Sequence, residues 1–322
     1  MSSPNVLITN YCNQNCPFCF ASREMNDITL NKEMKMEDFK RIVTRLSQNK
    51  DSKTLKFLGG EPTLHSKLFE MIDLSIQKNF AIQLFTNGII GKDRTEKLMR
   101  YGKQIGYTFN ITTPGFRHNS VLRKEIVQNM SMLGKKSNIT ISLTIDPFFN
   151  QNLFFSTANS LLPALNNIRI GLANPIAHTK NWYDFSDFPK MGGIITRFMQ
   201  KARNKGFKGL FAPNCGFTRC MFTDVQYKYF KLQSEFMGWS CFGKTSSMDI
   251  GVDLQAFHCF PLSDSNRFSL VKTNYKEAVR KLMKVRMEMW AKYKKEVCLK
   301  CPFYGYGGEK CPGPCLAFRM NE

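Results

Sequence analysis

No apolar run in this sequence approaches the ~20 residues needed to cross a bilayer, which excludes a membrane-spanning helix. The first residues, Met1-Ser-Ser-Pro4, carry neither a basic stretch nor an apolar one, so no secretory signal is read there. The expected compartment is therefore the cytoplasm. No internal repeat or low-complexity tract is present, which argues against a solenoid. Acidic residues are scarce, 25 Asp and Glu against 46 Lys and Arg, and histidines number four. Cysteine is missing altogether between Cys19 and Cys215, yet the chain holds eleven. The cytosol keeps thiols reduced, so these cysteines point to metal ligation rather than disulfides.

Three of them stand close together. Cys12, Cys16 and Cys19 form C-x3-C-x2-C directly after the apolar run Val6-Leu-Ile-Thr-Asn-Tyr11. Three thiolates on one short loop can hold three irons of a [4Fe–4S] cluster and leave the fourth iron open to a small molecule. A zinc knuckle is the alternative, but structural zinc takes four closed ligands. The nearest histidine in sequence is His65, so no local fourth ligand exists. A second motif, Gly59-Gly60-Glu61-Pro62, follows the apolar run Leu55–Leu58. Glycines at the end of a strand let a ligand approach the backbone, and Glu61 offers a carboxylate to a cationic group.

The cysteine spacing, the aromatic Phe18 just before the last cysteine, and a GGEP about forty residues on resemble the radical S-adenosylmethionine (SAM) superfamily. The resemblance implies that the three cysteines carry the cluster and that Gly59, Gly60, Glu61 and Pro62 receive the amino group of SAM's methionine. It also implies an open, partial TIM-type barrel. The patterning agrees with an α/β fold, a partial (β/α)6 barrel followed by a cysteine-rich domain. Strands are expected at Val6–Tyr11, Thr54–Leu58, Ala81–Thr86, Ile105–Ile111, Ile139–Ile145 and Ile168–Leu172. Helical periodicity separates them, as at Met36–Leu46, Leu68–Gln77, Asp93–Tyr101, Val121–Leu133 and Ile194–Lys205. Ligand chemistry in such sheets sits at the strands' C-terminal ends.

That rule nominates further cofactor contacts. Asn87 ends the third strand, where the resemblance implies a strand end that lines the SAM site and a simple Asn-Gly turn is the alternative. Asn110 and Thr112 close the fourth strand and Ser142 lies in the fifth; one of these three is suited to the ribose hydroxyls. By resemblance, Arg123 holds the methionine carboxylate through a bidentate bond; an ordinary surface arginine is the alternative. Asp146, at the end of the fifth strand, is the candidate catalytic base, with helix capping beside Pro147 as its other role. His178 and Asp184 are weaker candidates.

From about residue 207 the β–α alternation is expected to stop, dividing the chain into a 1–206 barrel and a 207–322 cluster-binding domain. One amphipathic helix is read at Tyr275–Glu296, with Ala278, Leu282, Val285 and Met289 on its apolar face. The eight late cysteines are Cys215, Cys220, Cys241, Cys259, Cys298, Cys301, Cys311 and Cys315. Their arrangement resembles the SPASM extension of peptide-modifying radical SAM enzymes, which implies two auxiliary [4Fe–4S] clusters; two zinc sites would use the same number of thiolates. The match departs in two places. The gap between Cys301 and Cys311 is longer than in the family, and no cysteine follows Cys315, so Cys215 or Cys220 has to replace the last ligand.

The formal charge of +21 falls to about +16 when eleven thiolates carry three oxidised clusters. A basic surface predicts an acidic partner. The lysines are scattered and no nucleic-acid-binding module is present, which argues against nucleic acid. The function expected is modification of a ribosomally made peptide by crosslinking or oxidation. The alternative is radical chemistry on a sugar, cyclitol or nucleotide; a non-catalytic electron carrier is disfavoured by the intact GGEP. A low-potential donor of flavodoxin or ferredoxin type is expected to supply electrons, and any leader-binding module is expected to be a separate protein.

Overall fold

The structure is a computed structural model that describes residues 3–27, 29–48, 53–175, 182–214, 216–236, 248–264, 267–306 and 309–320. Its strands are β1 Asn5–Thr9, β2 Thr54–Gly59, β3 Ala81–Thr86, β4 Ile105–Asn110, β5 Ile139–Ile145, β6 Asn167–Leu172, β7 Leu210–Pro213, β8 Asp249–Ile250, β9 Gln255–Phe257 and β10 Phe268–Ser269. They form one sheet in the order β10-β9-β8-β1-β2-β3-β4-β5-β6-β7. From β8 through β1 to β7 every pairing is parallel, and β9 and β10 add antiparallel strands at one edge.

The α/β barrel-type core therefore has the expected strands plus one more. β7 pairs in parallel with β6 after residue 206, where the alternation was expected to stop. β8, from the cysteine-rich half, pairs with β1 on the sheet's other side. The helices are α1 Ser22–Asn26, α2 Met36–Ser47, α3 Leu68–Gln77, α4 Lys92–Met99, α5 Pro114–His118, α6 Ser120–Gly134, α7 Gln151–Ala158, α8 Phe188–Asn204, α9 Asp224–Gln233, α10 Tyr275–Lys292, α11 Glu296–Leu299 and α12 Leu316–Met320.

Alternation along the strands separates two faces. One set of side chains, including Val6, Ile8, Leu55, Phe57, Ile82, Leu84, Tyr107, Phe109, Ile168 and Ile170, packs under the helices in the main core. Leu7, Leu58 and Phe85 belong to the opposite, inner face, where they join Val252, Phe257 and Phe260. The helices begin where short polar side chains accept from exposed N–H groups. Asn119 caps α6, Asn150 caps α7 and Asn274 caps α10, while Thr223 and Gln226 form a capping box on α9. α10 buries Ala278, Leu282 and Val285 as its periodicity required, but it stops at Lys292, and the chain re-forms as α11, which carries Cys298 inward.

Candidate functional site

The loop after β1 is bonded backbone to backbone onto the GGEP segment. Gly60 N–H donates to Thr9 O at 2.8 Å, and Glu61 N–H donates to Tyr11 O at 2.7 Å. This approach leaves no room for side chains: a Cβ at Gly59 would lie 2.5 Å from Thr9 O, and one at Gly60 would lie 2.2 Å from Tyr11 O and 2.8 Å from Cys12 Cβ. The two sequence motifs are thus one structural unit at the C-terminal ends of β1 and β2.

The cysteine loop is tied at further points. Asn87 donates through Nδ2 to Asn13 Oδ1 at 2.7 Å, and Asn13 donates to Ile89 O at 3.3 Å. Gly115 N–H donates to Gln14 Oε1 at 2.6 Å. Gln14 N–H points at Cys12 Sγ, 3.3 Å away, a bond that favours the thiolate. Burial raises the pKa of all three thiols, and the negative charges of neighbouring groups add to it; Cys19 is pushed up to about 11. A cationic cluster reverses that penalty, since coordination deprotonates a thiol. Three thiols on one loop fit an iron–sulfur cluster with one open iron, and the side-chain-free glycines let the GGEP backbone lie directly against that loop.

Glu61 is fully buried and its carboxylate is already engaged. Oε1 accepts from Thr63 N–H at 3.1 Å, Thr63 Oγ1 at 2.7 Å and Thr86 Oγ1 at 2.8 Å, and Oε2 accepts from Asn87 N–H at 2.7 Å. Burial raises its pKa, and these donors oppose the rise. Glu61 therefore clamps the end of β3 to the GGEP turn, with Pro62 opening a short 3-10 turn behind it. Asn87, nominated as a cofactor contact, lies beside the cysteine loop.

Asn110 and Ser142 are brought level on neighbouring strands, and Arg169 on β6 stands level with Ser142. Arg169 Nη1 donates to Ser142 Oγ at 3.0 Å, and its guanidinium lies 5.7 Å from the Phe85 ring centroid. Arg169 was not nominated from the sequence, although the alternation Ile168-Arg169-Ile170 assigns it to the inner face. Lys56 shows the same pattern between Leu55 and Phe57. Its pKa is lowered by burial first and then by the charge of Arg169, against the opposing pull of Asp249. Asp249 accepts from Asn5 Nδ2 and is pushed up to about 7, chiefly by burial.

Two nominated residues are placed differently from their expected roles. Asp146 is completely buried, and both of its oxygens accept from Arg117, at 2.8 and 2.9 Å. A carboxylate so held is not open to accept a substrate proton, and Asn150 rather than Asp146 caps the next helix. Arg123 lies on α6, 6.0 Å from the Phe116 ring, in a groove of about 720 Å³ between α6 and α7 shared with Lys124, Lys135 and Thr157. None of the nominated site residues lines that groove with it. Asp184 is exposed, and His178 lies outside the described residues.

In the cysteine-rich half, Cys220, Cys298, Cys301 and Cys311 line a single small cavity together with Phe185, Thr218, Tyr304 and Gly313. Arg219 N–H and Gly313 N–H both donate to Cys311 Sγ at 3.4 Å, and Thr218 Oγ1 lies 3.1 Å from Cys220 Sγ. Burial raises the pKa of these thiols, and their mutual charges add to the rise; Cys298 is pushed up to about 11. Cys220, one of the two cysteines considered as a substitute last ligand, lies beside the C-x2-C pair. Cys315 is buried and Cys259 half-buried, and neither lines that cavity. Cys215 and Cys241 lie outside the described residues. Among the described residues no three His, Cys, Asp or Glu side chains converge tightly enough to hold a single metal ion.

A cysteine loop braced against a glycine turn at the mouth of a parallel sheet is an arrangement suited to an enzyme core that holds an iron–sulfur cluster. Residues 6–153 match the family model of the Radical SAM superfamily, so this segment is a radical SAM domain, with SAM and a [4Fe–4S] cluster as its cofactors. Over 87 residues the chain is 40% identical to the 7,8-dihydro-6-hydroxymethylpterin dimethyltransferase of Methanocaldococcus jannaschii, covering 26% of this chain and 17% of that protein. Over 85 residues it is 32% identical to the S-adenosylmethionine-dependent nucleotide dehydratase of Selenomonas ruminantium, covering 26% and 29%. The chain thus spans less than a third of these curated relatives. Its fold is similar to that of Streptococcus suis SuiB bound to S-adenosylmethionine, with a TM-score of 0.71 at 15% identity over 100% of this chain and 75% of that one. It is equally similar to anSMEcpe with bound AdoMet and a peptide, with a TM-score of 0.70 at 17% identity over 97% and 88%. No described helix is long and apolar enough to cross a membrane.

Proposed function

We propose that this chain is a radical SAM enzyme that abstracts hydrogen from a C–H of a ribosomally made peptide, crosslinking or oxidising it in the cytoplasm. The observation that carries the reading is the direct bonding of the Cys12–Cys19 loop to the GGEP turn, whose glycines let the two backbones touch and so set the three thiols beside that turn. When bound, the cluster supplies the electron that splits SAM into methionine and a 5′-deoxyadenosyl radical.

The chain's own residues bind, orient and exclude water. The Gly59–Gly60 backbone receives the methionine amino end, and Glu61 holds that turn rigid through its donors from Thr63, Thr86 and Asn87. Asn110 and Ser142 serve the ribose hydroxyls. Arg169 replaces Arg123 as the guanidinium assigned to an anionic group, because it lies on the same face as Ser142 while Arg123 lines an outer groove. Leu7, Leu58, Phe85, Phe257 and Phe260 form an apolar inner surface that keeps water from a reactive radical.

Residues 207–322 are proposed as a SPASM-like auxiliary-cluster module. Cys220, Cys298, Cys301 and Cys311 hold one auxiliary [4Fe–4S] cluster, and Cys215, Cys241, Cys259 and Cys315 are assigned to a second. Support comes from the shared cavity of the first four. A flavodoxin- or ferredoxin-type donor feeds the system. The likeness in fold to SuiB, whose structure with the precursor peptide SuiA has a TM-score of 0.68 to this chain, supports a peptide substrate.

A second reading, a nucleotide or other small anionic substrate, is favoured by Lys56 and Arg169 on the inner face and by the nucleotide dehydratase and the probable GTP 3′,8-cyclase of Saccharolobus islandicus among the relatives. Iron and sulfide per chain after anaerobic reconstitution test the cofactor assignment. Three clusters give about twelve of each, and about four with zinc making up the balance refutes the auxiliary clusters. Co-expression with a neighbouring precursor peptide then tests the substrate. A changed peptide mass is expected, and an unchanged mass with active enzyme turns the assignment to the small-molecule reading.

A further inference from the structure

The segment between β4 and α6 makes two contacts with the cysteine loop that the proposed function does not use. α5 is opened by Thr113, whose hydroxyl accepts from Phe116 N–H. One residue into it, Gly115 N–H donates to Gln14 Oε1. Two residues later the Arg117 guanidinium lies 5.3 Å from the centroid of Phe18, the residue just before Cys19. The same guanidinium makes the bidentate pair with Asp146, and the two side chains are 11% and 0% exposed. The positive charge of Arg117 is felt at Cys16, where it favours the thiolate.

Arginine stays charged at every accessible pH. Inside a protein a fixed charge acts over a distance at which water would screen it. A buried carboxylate paired with it offsets most of that field without abolishing it. Reduction potentials of iron–sulfur clusters respond to net charge and burial.

We propose that the Arg117–Asp146 pair is an electrostatic and positioning brace for the cluster held by Cys12, Cys16 and Cys19: it tunes the cluster's reduction potential and fixes Phe18 against the end of β5. The inference rests on the cluster assignment above. Arg117 favours the reduced, more negative cluster, and Asp146 moderates it. Neither residue is assigned contact with the reacting atoms, so both are positioning residues.

The test is a redox titration followed by electron paramagnetic resonance on the reconstituted full chain, reading the signal that changes when SAM is added. Arg117→Gln is expected to move the midpoint to a more negative potential. Asp146→Asn, which leaves the guanidinium unneutralised, is expected to move it in the opposite direction, and Arg117→Lys is expected to stay near the wild type. Opposite signs are the mark of a charge effect, because general loosening of the loop moves both variants the same way. Midpoints that do not move, or move together, overturn the brace. Loss of iron in all three variants also overturns it and leaves only a structural role. A wild-type chain that yields no SAM-responsive signal refutes the cluster assignment itself, a different result from an unmoved midpoint.

Discussion

Asp249 carries a direct pH dependence. It is buried on the inner face, accepts from Asn5 and faces the field of Lys56, yet burial still raises it to about 7. An unfolded aspartate titrates near ~3.9, so the folded protein holds this proton where the unfolded chain releases it. The stabilisation is complete below ~4 and is lost as the pH rises through about 7. In an Asp249→Asn comparison, the wild type is expected to lose stability relative to the variant between those limits and to run parallel to it above them. Urea unfolding across pH 4 to 9 checks this, and a constant difference across the window sinks it. Asp249 was not legible as a special residue, because Met248-Asp-Ile-Gly251 is too short a run to declare a buried strand. Arg117 and Asp146 were likewise unreadable as a pair, since they are separated by 29 residues and meet only through the sheet. Glu61 was found, but by motif; its clamp on Thr86 and Asn87 depends on the packing of β2 beside β3.

Among the described glycines, Gly192 on α8 leaves the least room for a side chain. A Cβ at Gly192 would lie 1.7 Å from Met221 O, so the helix backbone sits directly on the 3-10 turn Arg219–Met221 that carries Cys220. Adding a methyl there forces the turn away, at a cost of about 1–3 kcal/mol for overpacking. Gly192→Ala is expected to lose about four irons per chain, one cluster's worth, while keeping the SAM-responsive signal of the first cluster. Iron analysis with paramagnetic resonance checks both halves; full iron content would mean that Cys220 is not a ligand. At this scale most of the barrel was legible. The six expected strands are β-branched runs separated by helical periodicity, and each was found within one or two residues. β7 was missed because Leu-Phe-Ala-Pro is four residues long and ends in proline. β8 to β10 were missed because two or three residues carry no period.

For the molecule as a whole, the charge of +21 bears on partner choice more than on fold. Its contribution to binding an acidic peptide acts through solvent and is screened beyond ~8 Å at physiological salt. Affinity for an acidic peptide is therefore expected to fall steeply between 50 and 300 mM salt, read by fluorescence anisotropy. Affinity that holds over that range would place recognition in less solvent-exposed contacts such as those of the half-buried Arg169. The division at residues 206 and 207 follows a change in composition, but one sheet runs through it: β7 lies at one edge, and β8 sits between β1 and β9.

That last pairing fixes an order of events during synthesis. The Cys12-side end of β1 finds a local neighbour, since Met34 N–H donates to Ile8 O and Asn10 N–H donates to Lys32 O. Its Asn5–Val6 end, by contrast, is paired on that side only once Asp249 and Ile250 have been made. Final anchoring of the strand beneath the cysteine loop is consequently a late step that waits for the cysteine-rich half.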